Sequence, residues 1–560
     1  MVRPTKPLSS SSPVTRTEMS PQLKNQEPAR LLAQTSEILV QEDLLRLGGG
    51  PEAIARQHEK GRKTARERIA ILLDQDAPVL ELGLWAGYEM YAEWGGAPAA
   101  GVLTVIGSVH GRRVMVVAND ATVKAGACFP LTIKKILRAQ AIAATNRLPL
   151  VYLVDSSGVF LPLQDEVFPD DDDFGRIFRN NAVLSARGIP QYAAIMGNCV
   201  AGGAYLPVLC DTVLMTEGSG LYLAGPSLVK AAIGQNISHD ELGGAHVHAA
   251  YSGTIDYREP DDDGCLARLR RLVAMLPADP APQVDATAIT PPFRPEEDLC
   301  RVVRTETSAQ YDVRDLLACV LDGGPFDEFR SEYGRTIVCG LGHLGGMPLG
   351  VVASQRLRFR AEGGPFQFGG VIYADSADKA ARFVLECNQC RLPILFIQDV
   401  NGFDVGRDAE RSGIIRRGAK LVSAVSNSTV PKITLIVGHS FGAGHYALCG
   451  KAFDPRFLFA WPGARYAVMG AQQASRTMLD VNVATLKRQG KAIDQAELYR
   501  LTDELRQRYD RETDIRHAAA RLWIDAIIEP ARTREVLIQA FDVATRCRDT
   551  QPITTGVFQV

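Results

Sequence analysis

Two short glycine-rich turns are the strongest candidates for chemistry in this chain of 560 residues. They read Ala201-Gly202-Gly203-Ala204 and Gly442-Ala443-Gly444-His445, and each follows an apolar run typical of a buried strand. Glycine and alanine let a ligand approach consecutive backbone N–H groups, and the start of a helix favours negative charge. Either turn alone is equally consistent with close helix–strand packing. Because they occupy matching positions, they indicate two paired oxyanion holes.

The positions match because one domain type occurs twice. Residues 147–158 return as 391–402, with Asp155 and Gly158 matching Asp399 and Gly402. Residues 107–118 return as 342–353, and residues 197–205 return as 438–446. Three collinear matches at nearly constant spacing predict a tandem duplication.

Strands alternating with helices predict a layered α/β architecture in each copy. Strands are predicted at 101–108, 114–118, 150–154, 192–196 and 212–215, and again at 337–341, 349–353, 394–398 and 432–437. The predicted domains are a disordered tail at 1–30, an N-terminal domain at 31–290 and a C-terminal domain at 291–560, joined through proline-rich residues 277–292. Alternating charges predict one long exposed or partner-facing helix over 498–522.

Two common motifs occur but lack their context. Residues 340–345 spell GxGxxG, yet an apolar strand follows where a dinucleotide site requires a helix, so we predict a hairpin. Residues 438–442 spell GxSxG around Ser440, but an esterase needs an acid and a histidine downstream, and only His445 and His517 follow. The duplicated position of Ser440 is Cys199, which also disfavours a hydrolase.

Composition excludes several classes. A net charge of −2 gives no field for nucleic acid, and no apolar run approaches the roughly 20 residues of a membrane span. The 11 cysteines are scattered, as in a reducing compartment, and Cys387 with Cys390 forms a lone CxxC that fits helix packing better than a metal site. The basic segment 60–68 fits either a solvated helix face or a contact with nucleotide phosphates.

Several longer segments together resemble one family. These are residues 116–126, 167–170 with 174–178, 223–226, and 460–465 with 468–470. They are similar to the carboxyltransferase (β) subunit of biotin-dependent acyl-CoA carboxylases, over nearly the whole chain from about residue 50. The resemblance implies a tandem pair of crotonase-like domains, with the active site between the N-terminal domain of one subunit and the C-terminal domain of another.

The resemblance also implies a mechanism. Carboxybiotin on a separate subunit releases CO2, the resulting ureido anion removes a proton from the acyl-CoA, and the enolate attacks CO2. Gly202 and Gly203 match the turn that holds the thioester enolate oxygen, and Ala443 and Gly444 match the turn that holds the biotin ureido oxygen. Because biotin is itself the base, no side-chain acid–base pair is required.

Further site residues follow from the same resemblance. Those expected to contact the acyl-CoA are Lys124, Gly158, Phe160, Ala201, Ala204 and Tyr446. Those expected to contact biotin are Gly402, Phe403, Phe441 and Gly442. No metal is expected. The chain lacks a Met-Lys-Met biotinylation motif and a nucleotide-binding GxxxxGK[ST] loop, so a biotin-carrying partner that uses ATP and magnesium is expected.

The acyl group is expected to be 3-methylcrotonyl, because 168–176 and the turn ending at Tyr446 are most similar to the methylcrotonyl-CoA and geranyl-CoA subgroup. Three loops depart from that subgroup, at Asp155–Pro162, at Asp399–Asp404 and at Asp171–Asp173. Geranyl-CoA, propionyl-CoA or a specialised acyl-CoA therefore stay open as acceptors. A decarboxylase subunit in a membrane complex and a silent scaffold subunit are the alternatives from other classes.

The family also suggests an assembly and a compartment. We expect a hexamer of this chain within a complex of six such subunits and six biotin-carrying subunits, with no nucleic acid and no membrane. We expect the bacterial cytoplasm, with the mitochondrial matrix as the alternative.

Overall fold

The computed structural model describes residues 21–277, 284, 289–303, 310–360, 366–470, 488, 495–547, 552–557 and 559. The predicted tail falls mainly on residues 1–20, outside the described residues, and the first helix begins at Pro21. Most of the predicted linker, 278–283 and 285–288, also lies outside them.

The first sheet consists of β1 (Leu80–Leu82), β2 (Val102–Val109), β3 (Arg112–Asn119), β4 (Leu150–Ser156), β5 (Gln191–Val200), β6 (Thr212–Thr216), β7 (Gly220–Tyr222) and β8 (Tyr257–Glu259). Its order is β1-β2-β3-β4-β5-β6-β8, and β7 continues beside the end of β5. The first three strands are antiparallel and the rest are parallel.

The second sheet repeats this plan with β9 (Asp327–Phe329), β10 (Ile337–Leu344), β11 (Met347–Ser354), β15 (Ile394–Val400), β17 (Lys432–Phe441), β18 (Phe457–Ala460), β19 (Arg465–Ala467) and β20 (Ala526–Ile527). Its order is β9-β10-β11-β15-β17-β18-β20, with β19 beside the end of β17. Short pairs join β12 (Phe359–Arg360) to β13 (Phe366–Gln367) and β14 (Val371–Ile372) to β16 (Gly402–Phe403).

The duplication extends to the register of the strands. Leu150 opposes Gln191 in the first sheet, and its equivalent Ile394 opposes Lys432 in the second. Both pairs of strands then shift register at the same place, after Val154 and after Gln398. This shift re-aims the last residues of each strand toward the following glycine turn.

The helices cover both faces of the two sheets. In chain order they are α1 (Pro21–Arg46), α2 (Pro51–Glu59), α3 (Ala65–Leu72), α4 (Pro130–Asn146), α5 (Phe174–Ala186), α6 (Tyr205–Val208), α7 (Pro226–Ile233), α8 (His239–Gly243), α9 (Ala245–Val247), α10 (Asp262–Ala274), α11 (Leu299–Val302), α12 (Val313–Val320), α13 (Ala374–Gln389), α14 (Arg407–Arg411), α15 (Ile414–Ser426), α16 (Gly442–Ala447), α17 (Gln495–Glu512), α18 (Ile515–Ala520) and α19 (Thr533–Arg546).

One apolar core is continuous from the first half into the second. It includes Ile136 of α4, Val351 of β11 and Phe541 of α19, all fully or nearly fully buried. Arg138 of α4 reinforces the join, because its guanidinium lies 2.7 Å from the buried carboxylate of Asp525 in the second half. The two halves therefore pack as one body at this face.

Two local predictions are resolved by the structure. The GxGxxG segment forms the predicted hairpin, since β10 and β11 are antiparallel and Gly345 and Gly346 turn the chain with φ of 58° and 76°. The single helix predicted over 498–522 is wrong. The chain breaks between α17 and α18, where the Asp514 side chain caps α18 by accepting from the Arg516 amide.

No helix among the described residues is long and apolar enough to cross a membrane. Within the same ranges, no group of three or more His, Cys, Asp or Glu side chains is arranged to hold a metal ion. Cys387 lies on the buried face of α13, whereas Cys390 is exposed.

Candidate functional site

The first glycine turn begins where β5 ends. Ala201 adopts a φ of 57°, in the left-handed region, and the chain then tightens through Gly203 into α6. A Cβ on Gly202 would stand 3.3 Å from the Phe174 ring, and one on Gly203 would stand 3.8 Å from the Cα of Gly158. The first amides of a helix have no carbonyl partner within it, so this turn offers donors to a ligand.

The loop after β4 lies against this turn. Gly158 has a φ of 88°, and its carbonyl accepts from the Cys128 amide at 2.8 Å. The Phe160 amide donates to the Cys128 carbonyl at 3.0 Å, and the Phe160 ring stacks on Phe129 with centroids 4.4 Å apart. Lys124 begins the same segment in a left-handed conformation. The structure thus gathers the predicted residues Lys124, Gly158 and Phe160 around one wall.

A buried carboxylate fixes the end of β5. Asp155, 4% exposed, accepts from the Asn198 amide at 3.2 Å and lies 3.3 Å from the Arg68 guanidinium. Only glycine fits at position 197, because a Cβ there would stand 2.1 Å from the Asp155 carboxyl carbon. Burial is the largest influence on the pKa of Asp155 and raises it, against the opposing charge of Arg68. We call this contact the aspartate–glycine lock.

The second glycine turn repeats the first at the end of β17. Gly442 has a φ of 54°, and α16 starts immediately. A Cβ on Gly444 would stand 2.6 Å from the Val400 side chain and 3.2 Å from the Cα of Gly402. The predicted biotin-side residues Gly402, Phe403, Phe441 and Gly442 all lie on the strands and turn that meet here. Tyr446, predicted on the acyl-CoA side, lies on α16 and is 51% exposed.

The second lock holds its carboxylate with more donors. Asp399, 1% exposed, accepts from the His439 amide at 2.8 Å and from the Tyr311 hydroxyl at 2.9 Å. Arg356 lies 3.4 Å away, and a Cβ on Gly438 would stand 2.5 Å from the carboxyl carbon. Burial acts to raise the pKa of Asp399, but Arg356 and His439 outweigh it and hold that pKa well below its usual range.

The GxSxG serine is not a nucleophile in this structure. Ser440 is fully buried, and its hydroxyl donates to the Gln398 amide oxygen at 2.6 Å. His445 contacts Ser440 at 2.7 Å, but its other nitrogen faces the Tyr466 hydroxyl at 2.6 Å rather than a carboxylate. A serine hydrolase needs an exposed hydroxyl and an acid behind its histidine, so the hydrolase alternative fails on geometry.

A basic groove opens beside the first turn. A cavity of about 480 Å³ is lined by Arg56, Lys60, Arg62 and Lys124 together with Gly95 and Gly96. The basic segment of the sequence divides here. Lys60 and Arg62 line the groove, whereas Arg66 pairs with Glu81 at 2.8 Å and Arg68 belongs to the first lock.

Sequence reasoning missed the residues that hold the turns in place. Arg68, Tyr311 and Arg356 lie far along the chain from the carboxylates that they contact. The signal that was present is the repetition of Asp155 with Gly197 as Asp399 with Gly438, at matching positions of the two copies.

Comparison with known proteins gives consistent matches. The family model described as "Carboxyl transferase domain" matches residues 56–555. A probable mitochondrial methylcrotonoyl-CoA carboxylase beta chain of Drosophila melanogaster is 43% identical over 88% of this chain and 85% of its own length. The biotin-dependent 3-methylcrotonyl-coenzyme A carboxylase beta1 subunit of Mycobacterium tuberculosis is 42% identical, over 92% of this chain and 94% of its own.

Among solved structures, the beta subunit of geranyl-CoA carboxylase from P. aeruginosa superimposes with a TM-score of 0.82 at 33% identity. The match covers 98% of this chain and 100% of that one. The predicted fold class, a duplicated crotonase-like α/β domain, is confirmed by this likeness.

Proposed function

The chain belongs to the carboxyl transferase family and is a component of a biotin-dependent acyl-CoA carboxylase, and we propose that it transfers a carboxyl group to 3-methylcrotonyl-CoA. The observation that carries this proposal is the pair of locked glycine turns, one at the same place in each sheet. Relatives named for methylcrotonoyl-CoA support the acceptor. Geranyl-CoA is the second candidate, because the similar solved structure is named for it.

The first turn binds the acyl-CoA. The amides of Gly202 and Gly203 donate to the thioester oxygen, and they hold it more strongly as negative charge develops there during enolate formation. Ala201, Ala204 and Gly158 keep side chains away from that oxygen. The groove lined by Arg56, Lys60 and Arg62 suits the phosphates of CoA, and Lys124 stands where the groove approaches the turn.

The second turn binds biotin on a separate subunit. Carboxybiotin held here would supply the CO2, and the ureido nitrogen left behind would accept the proton of the acyl-CoA. The amides of Ala443 and Gly444 donate to the ureido oxygen, where charge develops as the carboxyl group leaves. Gly402 and Gly442 leave room for the bicyclic ring, and Phe403 and Phe441 supply apolar walls.

A second copy of the chain completes each site in this proposal. Exposed apolar side chains follow each turn in sequence or flank it, which is typical of surfaces that associate. On the first half they are Leu161, Phe168, Tyr205 and Leu223, and on the second half Val405, Ile415, Tyr446 and Val468. A hexamer of this chain with six biotin-carrying subunits is the assembly that we propose.

The bacterial cytoplasm is the compartment that we propose, and the mitochondrial matrix is the alternative because several similar proteins carry a mitochondrial name. Fractionation of the source cells tests this point.

The test of function starts from material of the native source retained on streptavidin. ATP-dependent fixation of labelled bicarbonate is measured with acetyl-, propionyl-, 3-methylcrotonyl- and geranyl-CoA. Fixation on 3-methylcrotonyl-CoA is expected, with loss in the Gly444→Ala variant and retention in a Gly324→Ala control, where a Cβ meets nothing within 4 Å. Fixation on propionyl-CoA alone would overturn the acceptor. Absence of the chain from the streptavidin fraction would overturn the proposal that it associates with a biotin-carrying subunit.

A further inference from the structure

A chain of hydrogen bonds runs through the protein directly beneath the second turn. Tyr466 contacts His445 Nε2 at 2.6 Å, His445 Nδ1 contacts Ser440 at 2.7 Å, and Ser440 donates to Gln398 at 2.6 Å. Gln398 in turn donates to the Leu448 carbonyl at 2.8 Å. Gln398, Ser440 and His445 are at most 3% exposed. These contacts connect β15, β17, α16 and β19, the four elements that meet at the turn.

The donor and the acceptor of each hydrogen bond in this series can be assigned from its two ends. The Lys451 backbone amide, which can only donate, points at His445 Nε2 at 3.3 Å, so that nitrogen is an acceptor. At the other end Gln398 uses its NH2 group on carbonyls, so its oxygen accepts from Ser440. The proton of the neutral imidazole is therefore on Nδ1 and is donated to Ser440, and the Tyr466 hydroxyl donates to Nε2.

The packing around His445 holds the ring in this pose. A Cβ on Gly450 would stand 2.1 Å from Nε2, so the chain leaves space there for the imidazole alone. Burial lowers the pKa of His445 to about 4, which keeps the ring neutral at physiological pH. His445 directly follows Gly444, so a fixed ring also fixes the backbone that carries the turn amides.

The first half has no such chain at the equivalent positions. The repeat offsets and the strand register pair Gln398, Ser440, His445 and Tyr466 with Val154, Cys199, Ala204 and Leu221. Among these four side chains only the Cys199 thiol makes a polar contact, with the Gly203 carbonyl at 3.3 Å. A different buried side chain, Asn181, donates to the Leu206 carbonyl of α6 at 3.0 Å. The polar chain is thus a feature of the second turn, not of the fold.

We propose that His445 is a positioning residue for carboxyl transfer, which acts with Tyr466 to hold the amides of Ala443 and Gly444 in place for the biotin ureido oxygen. The inference rests on the proposed function of the second turn. It assigns no proton transfer to His445, because both of its nitrogens are occupied by partners within the protein. The proposal predicts that a substitution that breaks this series of hydrogen bonds impairs the use of biotin, while binding of the acyl-CoA is preserved.

The test measures the reverse reaction, transfer of the carboxyl group from methylglutaconyl-CoA to free biotin by the full-length chain. Tyr466→Phe removes one donor to Nε2, and His445→Leu removes the ring chemistry at similar volume. His445→Gln offers an amide oxygen to Tyr466 and Lys451 and is the conservative rescue. Thr533→Val is the matched control, since Trp461 donates to buried Thr533 at 2.9 Å elsewhere in the same half.

Because misplacing an oxyanion donor by a fraction of an ångström is costly, we expect kcat/KM for biotin to fall about tenfold in Tyr466→Phe and about 100-fold in His445→Leu. His445→Gln is expected to recover part of that loss. The Kd of methylglutaconyl-CoA is expected to change less than about twofold, since the first turn is untouched.

Three results would overturn the inference. They are unchanged biotin kinetics in Tyr466→Phe, equal losses in Tyr466→Phe and Thr533→Val, or equal losses for biotin and for the CoA thioester. Failure of the proposed function is distinguishable, because the unmodified chain would then transfer no carboxyl group to biotin at all.

Discussion

The two glycine turns share one lock but differ in what supports them. In both, a buried aspartate accepts the amide of the residue that follows a glycine, Gly197 or Gly438, where no Cβ fits. The four positions equivalent to Gln398, Ser440, His445 and Tyr466 carry Val154, Cys199, Ala204 and Leu221 in the first half, whereas in the second half they form an ordered series of hydrogen bonds from Tyr466 to Gln398. The two copies therefore share the contact that places each turn and differ in the polarity of the side chains beneath it.

The difference is sharpest for an added methyl group. Gly444→Ala places a Cβ 2.6 Å from Val400 and 3.2 Å from the Gly402 backbone, whereas the Cβ of Gly203→Ala meets Gly158 at an ordinary 3.8 Å. We expect carboxyl transfer to fall more than about 100-fold in Gly444→Ala and about tenfold in Gly203→Ala, because only the former must displace its turn. Steady-state kinetics of both variants, with circular dichroism as a folding control, measure this. Equal losses of carboxyl transfer in the two variants would contradict the expected difference between the two turns.

The locks are expected to respond differently to loss of charge. Asp399→Asn removes a buried negative charge that Arg356, His439 and Tyr311 all contact. We expect it to lower the free energy of unfolding by about 3 kcal/mol or more, and Asp155→Asn to lower it by less, since burial already raises the pKa of Asp155. Urea unfolding of the two variants makes the comparison. A larger loss in Asp155→Asn would contradict it.

Acid should weaken the second turn through His445. Its pKa is about 4 in the folded chain, against an ordinary value of 6.5 once the ring is exposed by unfolding, so the unfolded chain binds more protons between these values. The contribution of neutral His445 is therefore present above pH 6.5 and is lost as pH falls toward 4, by up to about 3 kcal/mol.

The other groups that contact the His445 ring add little to the change in folding stability between pH 6.5 and pH 4. Tyr466 and the Lys451 amide are neutral donors, the Lys451 ammonium pairs with Asp525 at 2.7 Å, and the Tyr446 ring packs at 5.8 Å. Urea unfolding of the unmodified chain and of His445→Gln at pH 7 and pH 5 isolates the effect. The stability gap between the two is expected to shrink at pH 5, and a gap independent of pH would refute the assignment.

The smallest effect is expected for a substitution of Cys199, beneath the first turn. Cys199→Ser keeps a hydrogen atom for the Gly203 carbonyl and nearly keeps the volume, so we expect a loss below about 1 kcal/mol and near-normal kinetics. Thermal unfolding and the fixation assay check this. A collapse of activity in Cys199→Ser would show that the first turn also depends on a polar support.

The elements and the two turns were predictable from the sequence because they rest on local signals. Apolar runs gave the central strands, and repeated Asp155 and Gly158 revealed the duplication. The turn glycines stood out because small residues at matching positions of both copies favour two anion-binding turns over close packing alone. The predicted helix across Thr513 failed because charge alternation does not register a cap such as that of Asp514.

The support of the turns was not predictable because its contacts are distant in sequence. Arg68 reaches Asp155 from a helix near the N-terminus, and Tyr466 reaches His445 from a strand that follows the turn. The sequence placed Ser440 in a GxSxG motif and disfavoured a hydrolase for lack of catalytic partners, but burial is invisible there and only the packing shows the hydroxyl enclosed.

Subunit complementation tests the central claim, that the first turn of one copy and the second turn of another form one site. Gly202→Leu and Gly444→Ala chains, each inactive alone, are co-expressed with different tags together with the biotin-carrying partner and purified on both tags. If each site draws its turns from two copies, random pairing restores about a quarter of the unmodified bicarbonate fixation, because some sites receive two intact turns. If fixation stays absent while doubly tagged unmodified chains are active, the turns do not meet between copies and the account is wrong.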